Sequence, residues 1–79
     1  MATNHSQEVL EMAKKVSKMD SYFQSLEETD RFLYRRAENI TSGNYDGNGW
    51  ENCSEKAIKS TYFQLQALLI DNDISEEMF

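Results

Sequence analysis

Nothing in the first 42 residues of this chain obstructs an α-helix: proline is absent throughout the sequence, and the first glycine is Gly43. Within that stretch, apolar residues recur at Val9, Met12, Val16, Met19, Phe23 and Leu26, alternating steps of three and four. Such a stripe is the pattern of a helix packing on another helix. Continued in register, it next reaches Asp30, and a carboxylate in an apolar seam is costly without a partner. The helix is therefore expected to break before that point. Ser25 followed by Glu28 has the form of a capping box, which places a new helix start there. The reading is helix 1 over about residues 6–23 and helix 2 over about 26–41, with one continuous helix as the alternative.

A second stripe, Ile58, Tyr62, Leu65 and Leu69, predicts helix 3 over about residues 53–71. Tyr62, Phe63, Leu65, Leu68, Leu69 and Ile70 wrap more than one face of that helix. Such width exceeds what one neighbour covers, so helix 3 is expected either to be central or to face another subunit as well. Residues 42–52 read as a loop and 72–79 as a frayed acidic tail. Gly43 suits the left-handed position that closes a helix. The fold class is all-α: one domain over 1–79, a small helical hairpin or three-helix bundle, expected to self-associate.

The totals narrow the function. A chain of 79 residues has a small core, and its single cysteine, Cys53, allows no internal disulfide. Packing, self-association or a metal must then stabilise it. No apolar run approaches a membrane span, and MATNHSQEVL lacks the apolar centre of a signal peptide, so the expected location is cytoplasmic. The net charge is −6, which disfavours nucleic-acid backbones and anionic membranes. Residues 1–43 carry seven acids and six bases, whereas residues 44–79 carry seven acids and two bases, Lys56 and Lys59, for a balance of −5. The expected partner is therefore a protein with a basic surface.

The segment from Ile40 to Lys56 holds all three glycines, the one tryptophan and the one cysteine. Counting Asn44 as the first position, Asp46, Asn48, Gly49, Asn52 and Glu55 fall where a calcium loop has its oxygen donors, its turn glycine and its closing glutamate. The segment 44–55 thus resembles an EF-hand loop, and the resemblance implies weak calcium binding through Asp46 and Glu55. It departs from the pattern in three places: Asn44 is neutral, Glu51 stands where an apolar residue belongs, and Gly43 precedes the loop. A plain turn accounts for the same residues. DGNG is a turn of residues tolerant of positive φ, and Asn52 with Glu55 reads as a capping box opening helix 3. The turn reading is preferred, with no metal or other cofactor.

No residue set suggests catalysis. His5, the only histidine, falls in a terminus expected to be disordered, and Cys53 lies between Glu51 and Glu55, which oppose a thiolate. The basic groups Lys14, Lys15 and Lys18, and Arg31, Arg35 and Arg36, read as solvated helix faces with pairs such as Glu11–Lys15 and Glu27–Arg31. Tyr45, Trp50 and Glu51 are the candidate partner contacts, since aromatic side chains of this kind anchor interfaces. For Trp50 the competing role, a lid over the open end of the bundle, is preferred. By elimination the chain reads as a small acidic, non-enzymatic protein-binding module, an inhibitor or adaptor. In a sharper form of this reading, its acids imitate nucleic-acid phosphates. The alternatives are the weak calcium-binding domain and a purely structural helical oligomer.

Overall fold

In the computed structural model, which describes residues 5–79, the chain is all-α: three helices and no strand among the described residues. Helix α1 spans Gln7–Gln24, α2 spans Arg31–Ser42 and α3 spans Glu55–Asp71. Short 3₁₀ turns follow at Trp50–Asn52 and Glu76–Met78. The α1 stripe buries Val9, Val16, Met19 and Phe23 as the spacing predicts, with Ala13 completing the face. Against it pack Ile58, Leu65, Leu68 and Leu69 of α3 and Leu33 and Ala37 of α2. Helix α1 is central: it touches α2, α3 and the first 3₁₀ turn. Helix α3 is not central, and its Phe63 and Ile70 are left outside the core.

The helix starts differ from the expected ones for a local reason. Ser25 is not an N-cap but the C-cap of α1, and its hydroxyl donates to the Tyr22 carbonyl. Residues 26–29 form a turn, and α2 starts at Arg31, with the Asp30 carboxylate accepting from the Leu33 N–H at 3.2 Å. The aspartate that was out of place in a seam is the cap. In α3 the cap is Ser54, whose hydroxyl accepts from Ala57 N–H at 3.1 Å, in place of Asn52. Glu55 instead forms an i,i+4 ion pair with Lys59 at 3.0 Å. Gly43 closes α2 with right-handed backbone angles, φ −81° and ψ −12°, so it is not the left-handed cap.

Two segments expected to be loose are held, His5 at one end of the described residues and the tail at the other; residues 1–4 of the expected disordered terminus lie outside the described residues. Nε2 of His5 hydrogen-bonds the Cys53 carbonyl at 2.8 Å, bringing the starts of α1 and α3 together. The tail turns at Asp73, whose φ is 56°, and lies back over the bundle. There the Glu76 carboxylate accepts from Tyr62 Oη at 2.9 Å and Gln66 Nε2 at 3.0 Å and pairs with Lys15 at 3.8 Å. Phe79 meets the Tyr22 ring edge-on at 5.3 Å. Lys15 therefore pairs with the tail rather than with Glu11, and the expected Glu27–Arg31 pair is not formed either. Among the described residues, one buried side-chain polar group has no partner: Thr61, fully buried, leaves its hydroxyl unbonded.

The two rival N-caps separate experimentally. Asp30→Ala is expected to cost about 1 kcal/mol, the usual worth of an N-cap, and Ser25→Ala less than half as much. Urea denaturation of the two variants, followed by helical circular dichroism, measures the difference.

Candidate functional site

The loop between α2 and α3 is closed by its own hydrogen bonds. Asp46 Oδ1 accepts from the Asn48 N–H at 2.9 Å, an Asx turn. The Tyr45 hydroxyl accepts from the Gly49 N–H at 3.1 Å, while Asn44 and Asn52 donate to the Ile40 and Asn48 carbonyls at 2.9 and 2.8 Å. Gly49 sits at φ 100°, a backbone conformation that favours glycine; the Cβ of another residue would fall 2.9 Å from Oε1 of Glu51, an exposed side chain that can move aside. The residues that resemble calcium ligands are thus employed in the turn, and Glu55 has left the loop for Lys59. No cluster of three or more metal-ligating His, Cys, Asp or Glu side chains occurs among the described residues.

This closure carries Trp50 inward. Its side chain is only 5% exposed, and it packs against Tyr45 with ring centroids 4.8 Å apart. Trp50 is the lid. Of the three candidate contacts, Tyr45 and Glu51 stay exposed on the outer side of the loop while Trp50 is withdrawn into the core. Cys53 is buried beside it, its thiol donating toward Gly49 O at 3.5 Å and Asp46 Oδ1 at 3.6 Å. The one histidine, His5, reaches the Cys53 carbonyl rather than its sulfur, so no imidazole addresses the thiol. Burial above all pushes the Cys53 thiol up from its ordinary value, and the charges of Asp46 and Glu51 act in the same direction. The arrangement suits a packed donor, not a nucleophile.

The lid also forms one end of a groove between α1 and α2. The outer part has a volume of about 330 Å³ and runs past Asp20, Ser21, Thr41, Tyr45 and Trp50. Beneath it lies a narrower recess of about 20 Å³ between Asp20, Phe23, Tyr34, Ala37 and Glu38. That is room for one water-sized group. Two carboxylates reach it from opposite helices. Glu38 accepts from the Tyr34 hydroxyl at 3.0 Å, a bond that raises the Tyr34 pKa, and Asp20 has only the long contacts of its two oxygens with Gln24 Nε2, at 3.4 and 3.5 Å. The ion pairs among the described residues are Lys15–Glu76 and Lys59–Glu55, so neither Asp20 nor Glu38 has a cation. Sequence reasoning found the loop end of this groove and missed the recess. Asp20 and Glu38 are 18 positions apart, and only the pitch of two antiparallel helices brings them to one cleft. Comparison with protein-family models, with curated proteins and with solved structures finds no match for this chain.

Calcium is expected to leave Trp50 emission unchanged, because Asp46 Oδ1 already serves the turn, Asn44 and Asn52 are held by bonds from their amide nitrogens, and Glu55 is paired with Lys59. The emission itself should be blue-shifted, as for a buried indole. A saturable change with calcium that magnesium does not produce, and that Glu55→Ala abolishes, would sink this account of the loop.

Cys53 sets an alkaline limit. Its thiol ionises above its unfolded value of about 8.5, so the neutral form is the one the fold holds. Stability is complete below that value and declines as pH rises through the folded one. Tyr62, raised by burial and by its bond to Glu76, adds a decline of the same sign only at higher pH. Urea unfolding between about pH 8 and 10 should therefore show a loss of stability that Cys53→Ala removes over that window.

Proposed function

We propose that this protein is a small binding module without chemistry of its own, and that its α1–α2 groove receives a basic side chain from a protein partner. The observation that carries the reading is the recess between Asp20 and Glu38, which presents two carboxylates and no cation. A lysine fits it better than an arginine. The ammonium is a compact point charge of about the size of a water, whereas a guanidinium is a broad planar fork. The four-carbon stem of a lysine has apolar surface to lie on along Tyr34 and Tyr45, and both rings favour a nearby cation. The hydroxyls of Ser17, Ser21 and Ser42 supply further acceptors along the outer groove.

The net charge of −6 supports the same partner at longer range, since a negative field draws a basic surface to the groove and speeds encounter. Exposed Tyr45 stands at the rim, where the polar ring of an interface belongs. An inhibitor or adaptor acting by surface occupancy needs no more than this.

The test is a titration of the labelled protein with a lysine-containing basic peptide, followed by backbone amide shifts. Expected are shifts centred on Asp20, Gln24, Tyr34, Glu38 and Tyr45, weakening as salt is raised and lost in the Asp20→Asn, Glu38→Gln double variant. Shifts scattered over every acidic residue, or unaffected by the double variant, would refute the groove as the binding site.

A further inference from the structure

The opposite side of the molecule carries features that the groove leaves unused. Phe32 on α2 is 74% exposed, and Phe63 and Ile70 on α3 are 56% and 67% exposed. With exposed Ala67 between them, Phe63 and Ile70 make an apolar stripe at i, i+4 and i+7, on the side of α3 away from Ile58, Leu65 and Leu69. Charge is separated across the same face. Arg35 and Arg36 are exposed on α2, Asp71 and Asp73 at the end of α3, and none of the four is in an ion pair among the described residues. Asp71 also occupies the last turn of α3, where the helix dipole disfavours a carboxylate. Arg36 lies over the Phe32 ring, 5.9 Å from its centroid.

We infer that this α2–α3 face is covered by a second copy of the same chain. The argument is charge complementarity of the face with itself. Arg36 and Asp71 line opposite walls of one open groove of about 350 Å³, so they lie level along two antiparallel helices. A two-fold axis parallel to those helices, running between them, lays α2 of each copy over α3 of the other and leaves every residue at its level. Arg36 of each copy then comes to Asp71 of its mate. Phe32, one turn earlier on α2, comes to the Ile70 end of the apolar stripe. Each contact occurs twice, as an isologous interface requires. A purely basic or purely acidic partner would satisfy only half of the face and set like charges against the other half.

Sedimentation velocity over the micromolar range tests this. The wild type is expected to show a monomer–dimer equilibrium that weakens with added salt. Arg36→Asp and Asp71→Arg should each raise the dimer Kd about tenfold or more, the scale of reversed interfacial charges, with helical circular dichroism unchanged because both positions are exposed. The double reversal should restore association. Ile70→Ser should weaken it at constant charge, while Asp20→Asn and Glu38→Gln leave it unaltered, which separates this interface from the α1–α2 groove. A wild type that stays monomeric throughout, a dimer indifferent to either reversal, or single losses that the double variant does not repair would each overturn the inference.

Discussion

Everything in this molecule leans on the buried stripe of α1. Val9, Ala13, Val16, Met19 and Phe23 are at most 3% exposed, and α2, α3 and the Trp50 turn all close on that one surface. A chain with one cysteine has no covalent tie to replace it. The consequences are asymmetric. Helix α2 is short and meets the core through Leu33, Ala37 and Thr41, with Ile40 partly buried against it, so both of its flanks remain open. Helix α3 has more apolar surface than α1 can cover, and the surplus, Phe63 and Ile70, faces outward. The groove on one side of α2 and the apolar face on the other both follow from how α1 is shared.

The stripes were legible because each is a local repeat: Val9 to Phe23 and Ile58 to Leu69 announce their helices with no knowledge of the neighbours. The caps were not. Ser25 with Glu28 and Asn52 with Glu55 have the right spacing for capping boxes, yet Asp30 and Ser54 hold the two helix starts. Several residues able to cap lie within a few positions of one another, and which one serves depends on where the helix must turn to meet α1. The Asp30 carboxylate is the clearest case. A residue that breaks the stripe signals both an end and a start, and only the direction of the following chain distinguishes them. The anchoring of His5 and of the tail was not legible for a related reason, since the bonds of His5 to Cys53 and of Glu76 to Tyr62 join residues far apart in sequence.

The loop shows why a ligand pattern and a turn are hard to tell apart on paper. Asn, Asp and Gly serve calcium because they offer oxygens on a sharply bent backbone, and they serve turns for the same reason. What separates the two is where the oxygens point. In this loop Asp46 turns to its own backbone and to Cys53, and the Tyr45 hydroxyl holds Gly49 so that Trp50 can swing under it. The tryptophan, most prominent of the candidate contacts in the sequence, thereby becomes core, and the groove it closes leads to a recess where Asp20 and Glu38 stand beside buried Phe23 and Ala37. Asp20 and Glu38 are unremarkable until two helices set them across one cleft.

The two open flanks of α2 bear on each other. Tyr34 and Glu38 point to the α1 side, Phe32 and Arg36 to the α3 side, and the helix between them has only 12 residues. In the proposed dimer each α2 is clamped from the α3 side by its mate, while its α1 side stays open. Two grooves then face outward on one particle. A partner displaying several lysines would meet them as a pair, and the second capture would be intramolecular, with a gain set by the spacing rather than by any new contact. A single weak recess of about 20 Å³ holds one side chain and cannot by itself give high affinity. In the proposed dimer, pairing is the route by which so small a site would become a useful one, and the unpaired charges on the far side of α2 would make that route specific to the chain's own copy.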